Sequence, residues 1–202
     1  EWAQKVAASS SDTYGGGLVL DSTGAIYLTA WFEGPITFSV GGPINPTGLV
    51  VQSGALLARY SRAGQLDWLR PIAQPVIGLG AALALAPSGD IFVGHNVYDE
   101  CRTPTQCPEH PTAAYLARYD SSGMRLSEQI FTHPGGLVRI HGVAVAGDDL
   151  VIAGMLTSSE LLELDPSGVG NIHAARLGLD GTPRKLYRAE GNLIVNDVAA
   201  SA

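Results

Sequence analysis

Short apolar runs, each closed by a glycine-bearing turn, follow one another along the chain, and one of them comes three times. Leu-Leu-Ala-Arg-Tyr at 56–60 returns as Tyr-Leu-Ala-Arg-Tyr at 115–119 and as His-Ala-Ala-Arg-Leu at 173–177. A turn follows each copy, carrying Gly64, Gly123 and Gly181, and leads into another apolar-rich run. Runs of β-branched, aromatic and aliphatic residues bounded by Gly, Asp and Ser are the signature of strands joined by tight hairpins.

The order of runs around each copy is the same. In the first unit, strands are predicted over 18–20, 25–32 and around Leu56, with the last over 66–70; a Gly/Pro-rich connection precedes Leu56. The second unit predicts strands over 82–85 and 91–95, around Leu116 and over 126–131. The third predicts them over 143–145 and 150–154, around Ile172 and over 184–187. Leu18, Leu83 and Val143 fall at equivalent places about 60 residues apart, a blade-length period for a four-stranded unit. The expected fold is therefore an all-β β-propeller of four-stranded antiparallel blades, with blades at 8–73, 74–132 and 133–190. Residues 1–7 match the outer strand of a preceding blade, and 191–202 the first strand of a following one. Three blades are too few to close a ring, since propellers close with about four to eight. Remaining blades in a longer polypeptide, or a protein partner, are expected to complete it. The opening residues lack the charged-then-apolar form of a signal segment, which is consistent with a removed leader or a larger parent chain.

Composition narrows the functional classes. Only 15% of the 202 residues are charged, against 25 glycines and 12 prolines, which suits a chain that turns often. The net charge of −7 argues against nucleic acid or an anionic membrane surface as a partner, because phosphate binding needs a basic patch. No apolar run approaches the roughly 18–20 residues of a membrane span. Cys101 and Cys107 lie in a Pro-rich stretch, and a short disulfide-closed loop in an oxidising compartment is the plain reading. A Cys₂His₂ zinc site with His95 and His110 is the sharper alternative, although zinc knuckles usually space their cysteines two to four residues apart; two free thiols are the third.

The units resemble the bacterial SBBP-type repeat, named for the seven-bladed β-propeller. The residues carrying the likeness are Leu20 to Thr29 with the turn at Gly24, Phe32 with Gly34, Phe38 with Gly41 and Gly42, and Leu56 through Gly64 to Trp68. The second and third units lack the outer-strand Trp, and Ser127 or Tyr187 falls near its place. The resemblance implies a secreted, cell-surface or periplasmic protein in which the propeller is a binding or structural module.

The search for chemistry points the same way. His95, His110, His133, His141 and His173 show no metal-ligand spacing, and no nucleophile elbow, phosphate loop, dinucleotide fingerprint or zinc-protease motif occurs. No cofactor is implied. Asp148 and Asp149 read as turn residues bonding their own backbone, and the acidic-apolar alternation at 160–165 as a loop or strand with one solvated face. Gly15 to Gly17 fit the tight packing of first strands. Trp2 and Trp68 share a repeat position and read as packing between blades, with a sugar-binding aromatic shelf as the competing view. Leu57, Leu116 and Ala175 are read as equivalent, and Arg59, Arg118 and Arg176 as a structural contact made once per blade. The expected function is a non-enzymatic interaction or structural platform. A catalytic propeller, carbohydrate-active or quinone-dependent, and a sugar-binding lectin are the alternatives.

Overall fold

A strand presents alternate side chains to opposite faces, so an apolar run with small residues on both faces can be covered on both sides. The computed structural model describes residues 13–32, 36–37, 50–51, 54–73, 81–97, 113–132, 138–156, 161 and 171–189. It forms β1 (Thr13–Leu20), β2 (Ile26–Phe32), β3 (Ile36–Thr37), β4 (Val50–Val51), β5 (Gly54–Tyr60), β6 (Leu66–Ala73) and β7 (Ala81–Leu85), followed by β8 (Ile91–Val97), β9 (Ala113–Tyr119) and β10 (Arg125–Thr132). The last four are β11 (Val138–Ala146), β12 (Asp149–Leu156), β13 (Asn171–Gly178) and β14 (Pro183–Ala189). Twelve of these make three four-stranded antiparallel sheets in the orders β1-β2-β5-β6, β7-β8-β9-β10 and β11-β12-β13-β14. The protein is all-β on this evidence. Three features differ from the sequence expectation: β3 and β4 pair as a small hairpin within the first connection, and β1 and β11 start at Thr13 and Val138, each five residues ahead of the predicted strand.

Five hairpins use one turn design. The N–H of Gly24, Gly64, Gly89, Gly123 or Gly181 donates to the carbonyl three residues earlier, at 2.9–3.0 Å. These glycines hold φ of 80–89°, a left-handed geometry that a Cβ would strain. Asp21, Asp120 and Asp180 help fix three of the turns by accepting the backbone N–H two residues on, at 2.8, 2.9 and 2.9 Å.

The sheets stack face to face. Tyr27, Leu57 and Ile72 of the first meet Leu83, Ile91, Val93 and Tyr119 of the second in one cluster. Phe92, Leu116 and Phe131 of the second meet Ile140, Leu150, Ile152 and Leu177 of the third in another. First strands lie beside first strands, β1 against β7 and β7 against β11. Small residues set the separation: a Cβ on Gly17 would stand 2.5 Å from Leu83 Cβ, and one on Gly94 would stand 2.6 Å from Ile140 Cγ2. Asn96 adds a polar clamp, because its Nδ2 donates to the Ile140 carbonyl at 2.9 Å while its Oδ1 accepts the Ile140 N–H at 2.8 Å. That clamp satisfies backbone groups at a register shift in the β11–β12 pair, between Ile140 and Gly142.

Equivalent positions show where the stack is covered and where it is open. On the face turned back along the stack, Leu83 and Val143 are 7% and 5% exposed, but their counterpart Leu18 is 61% exposed. On the forward face, Trp31 and Asn96 are 5% and 2% exposed, while Met155 in the same place on the third sheet is 38% exposed. Both outer faces of the stack therefore present apolar side chains that the inner interfaces bury.

Replacing Asn96 by Ala leaves the Ile140 N–H and carbonyl without their partner in a buried interface. The expected cost is about 1–3 kcal/mol of unfolding free energy, measured by urea denaturation against the parent chain.

Candidate functional site

A guanidinium on an inner strand of a stacked sheet keeps its charge, so it needs acceptors within reach. In the first sheet Arg59 donates from Nε to the Tyr27 hydroxyl at 3.0 Å, lies 3.6 Å from Asp21 and pairs with Asp67. In the second, Arg118 pairs with Asp90 at 2.6 Å. In the third, Arg176 and Arg184 both pair with Asp149. The arginine of the first two sheets also lies over a second-strand ring, Tyr27 at 5.5 Å and Phe92 at 5.9 Å. Val151 holds that place in the third, opposite Arg176.

A bulge sets the rest of each cluster. Just past the repeated arginine the pairing of third and fourth strands shifts register in all three sheets, leaving Asp67, Leu126 and Arg184 as the extra residues, and the first and third sheets carry a second shift each. The first sheet thus reads acid, base, acid; the third reads base, acid, base; the second carries a single pair. Asp21 accepts from the Thr23 hydroxyl at 2.6 Å and from the Thr23 and Ala25 N–H groups, and these bonds, led by the Thr23 hydroxyl, hold its carboxyl below the usual range. Asp149 is a buried strand residue serving two cations, not the turn residue expected of it.

Between the second and third sheets, where β10 faces the β13–β14 hairpin, lies a cleft of about 370 Å³. Its apolar lining includes Phe92, Leu116 and Leu150, and Glu128 and Asp180 bring carboxylates to it. Two of the lining residues carry an atom buried without a hydrogen-bond partner, Arg118 Nε and Gln129 Oε1. One orphaned donor and one orphaned acceptor thus lie just beneath the wall of the cleft. Arg118 and Gln129 are diagonal neighbours on paired strands, since Arg118 faces Ser127 and Leu116 faces Gln129.

Trp68 lies at the junction of the first two sheets. Its Nε1 donates to the Ser121 carbonyl at 3.2 Å, its ring meets Tyr27 edge-on at 6.0 Å, and a Cβ on Gly123 would stand 3.0 Å from it. Opposite Arg118 stands Ser127, and opposite Arg176 stands Lys185. Tyr187 thus falls two residues past the Trp68 place, level with Arg70 and Gln129. Register also places Ala174, rather than Ala175, with Leu57 and Leu116, because each lies two residues before the repeated arginine. His95 is buried in β8 and stacks on Tyr115 at 5.0 Å. His173 is buried in β13 with neither ring nitrogen hydrogen-bonded. His141 is half-buried in β11, and burial pushes its pKa down, with the charge of Arg139 adding to the effect. Among the described residues no three His, Cys, Asp or Glu side chains gather where a metal ion could sit. Trp2, Cys101, Cys107, His110 and His133 lie outside the described residues.

Sequence reasoning singled out the arginines but not Asp21 and Asp90 as their partners. The signal available was an acidic residue in the first hairpin or at the opening of the second strand of every unit, beside a strand that carries an otherwise uncompensated cation. Asn96 and Gln129 had no such signal, since each occurs once.

No protein-family model matches the chain, and no curated protein is similar to it. Among solved structures, a catalytically inactive virginiamycin B lyase from Staphylococcus aureus with quinupristin aligns over 98% of this chain and 78% of that one. Identity is 12% and the TM-score 0.35, too distant to bear on the fold or activity of this chain.

His95 is held neutral: burial, with the charge of Arg125 as a lesser cause, pushes its pKa down from 6.5 to about 4. The unfolded chain takes up this proton first, so the contribution of His95 is complete above pH 6.5 and is lost as pH falls from 6.5 towards 4. The loss amounts to about 3 kcal/mol. His95→Phe keeps a ring against Tyr115 and is expected to flatten the dependence of Tm on pH in that window.

Proposed function

We propose that the three sheets are consecutive blades of a β-propeller that serves as a non-enzymatic interaction or structural platform in a secreted or cell-surface bacterial protein. The observation that carries the reading is the face-to-face stacking of sheets whose strands run in chain order, with β1, β7 and β11 side by side. That is how blades sit around a propeller axis. The repeated Asp–Arg clusters support a scaffold role, because the charges placed inside the sheets are committed to each other once per blade. The resemblance of the units to the SBBP-type repeat and the cysteine pair at Cys101 and Cys107 support an extracellular, surface or periplasmic setting.

The two open faces extend the reading. Leu18 and Leu20 on one side, and Met155 and Tyr187 on the other, stand where the inner interfaces bury their counterparts or lie against the next sheet's hairpin. Further blades of the same polypeptide, or a protein partner, would cover them.

In isolation the 202-residue chain is expected to self-associate through these faces at tens of micromolar, and Leu18→Asp combined with Met155→Asp to return it to its 21.0 kDa monomer in light scattering. A parent chain that is already monodisperse at 21.0 kDa would remove the support for covered faces. Turnover of any member of a polysaccharide panel, abolished by Glu128→Gln, would replace the platform with the catalytic alternative.

A further inference from the structure

The two inner interfaces are built from the same positions, which makes one a control for the other. At the first, Trp68 opposite Arg59 lies beside Tyr27 and against the Gly123 hairpin of the next sheet. At the second, Ser127 opposite Arg118 holds the Trp68 place. Phe92 stands where Tyr27 stands, and the Gly181 hairpin where the Gly123 hairpin stands. Around Gly123 an added Cβ would meet the indole ring at 3.0 and 3.1 Å; around Gly181 it would meet only the Gln129 side chain. The 370 Å³ cleft, which Phe92, Ser127 and Gly181 all line, occupies the region that the indole of Trp68 occupies one interface earlier.

The geometry points to a binding site for a single indole- or phenol-sized aromatic group in this cleft. The ring lies over Phe92 and Leu116 and against the Gly181 hairpin. A turn of the two side chains about their last torsions lets an N–H or O–H on the ring donate to Gln129 Oε1 and an adjoining carbonyl accept from Arg118 Nε, so both orphaned atoms gain a partner. A tryptophan or tyrosine side chain with its own backbone carbonyl has this combination, and so does a free aromatic amide. The rim carboxylates Glu128 and Asp180 disfavour an anionic ligand, which points to a neutral or cationic one. The inference depends on one inter-sheet junction and not on how many blades the ring has.

The test uses the full chain with N-acetyltryptophanamide and with a capped Ala-Ala-Trp-Ala-Ala peptide, read by calorimetry and by ligand-observed NMR saturation transfer. Saturable 1:1 binding of the amide with a Kd of about 0.1–1 mM is expected, the range open to a ligand of that size. Tighter binding of the peptide by tenfold or more assigns the site to a side chain on a protein partner; equal binding assigns it to a free aromatic compound. Ser127→Trp supplies the ring from within and is expected to abolish both signals while raising Tm by about 2–4 °C. Gln129→Leu removes the acceptor without blocking the space and is expected to weaken the amide about tenfold, with Tm unchanged. Absence of saturable binding at millimolar ligand, or binding that Ser127→Trp leaves intact, overturns the proposal.

Discussion

Everything in these sheets is arranged around an arginine that cannot be left alone. The third strands of the first two sheets place a guanidinium between two layers of apolar side chains, where loss of hydration is costly unless acceptors are close by, and Arg176 repeats the arrangement half-exposed on the third. The chain meets that requirement three times, with a carboxylate delivered by the first hairpin or by the opening residue of the second strand. Hairpin geometry and strand register bring the carboxylate and the arginine onto the same face in every sheet, and the bulge in the fourth strand adds a second charge in the first and third. Reversal of charge order between the first and third sheets shows that the fold requires compensation of the cation and leaves the arrangement free.

Stacking adds a second constraint, one of distance. Sheets pack face to face at about 10 Å when ordinary side chains separate them. First strands that converge must come closer than that, and the chain answers with Gly17 against Leu83 and Gly94 against Ile140 and Val143. Larger residues are carried on the fourth strands, where the sheets diverge: Trp68 in the first sheet and Phe131 in the second. The gradient from small residues near the first strands to aromatic residues on the outer ones makes the space between neighbouring sheets a wedge.

The strand order was legible in the sequence because each unit repeats a hairpin whose glycine must adopt positive φ, and Gly24, Gly64, Gly89, Gly123 and Gly181 all mark one. The arginines were legible as a repeated feature for the same reason. What escaped was information that exists only across strands. Asp149 looked like half of an acidic turn, because its neighbour Asp148 is one and because Arg176 and Arg184 lie far along the chain. Ala174, not Ala175, stands two residues before the repeated arginine, as Leu57 and Leu116 do, so that equivalence was legible in the repeat itself and strand pairing bears it out. The cleft was written in the sequence as Ser127 in place of a Trp, but a missing side chain reads as variation until the neighbouring interface shows the space it would have filled.

The three repeats are close enough in pattern to be confused with one another during folding, and tandem units of that kind are prone to pairing with the wrong neighbour. The forward position held by Trp31, Asn96 and Met155 removes that ambiguity. A buried indole holds the place in the first sheet and a carboxamide clasping the Ile140 backbone holds it in the second, so an exchange of the two would strand the Ile140 polar groups. One residue per sheet thus acts as an address, which lets a chain of similar parts assemble in a single order.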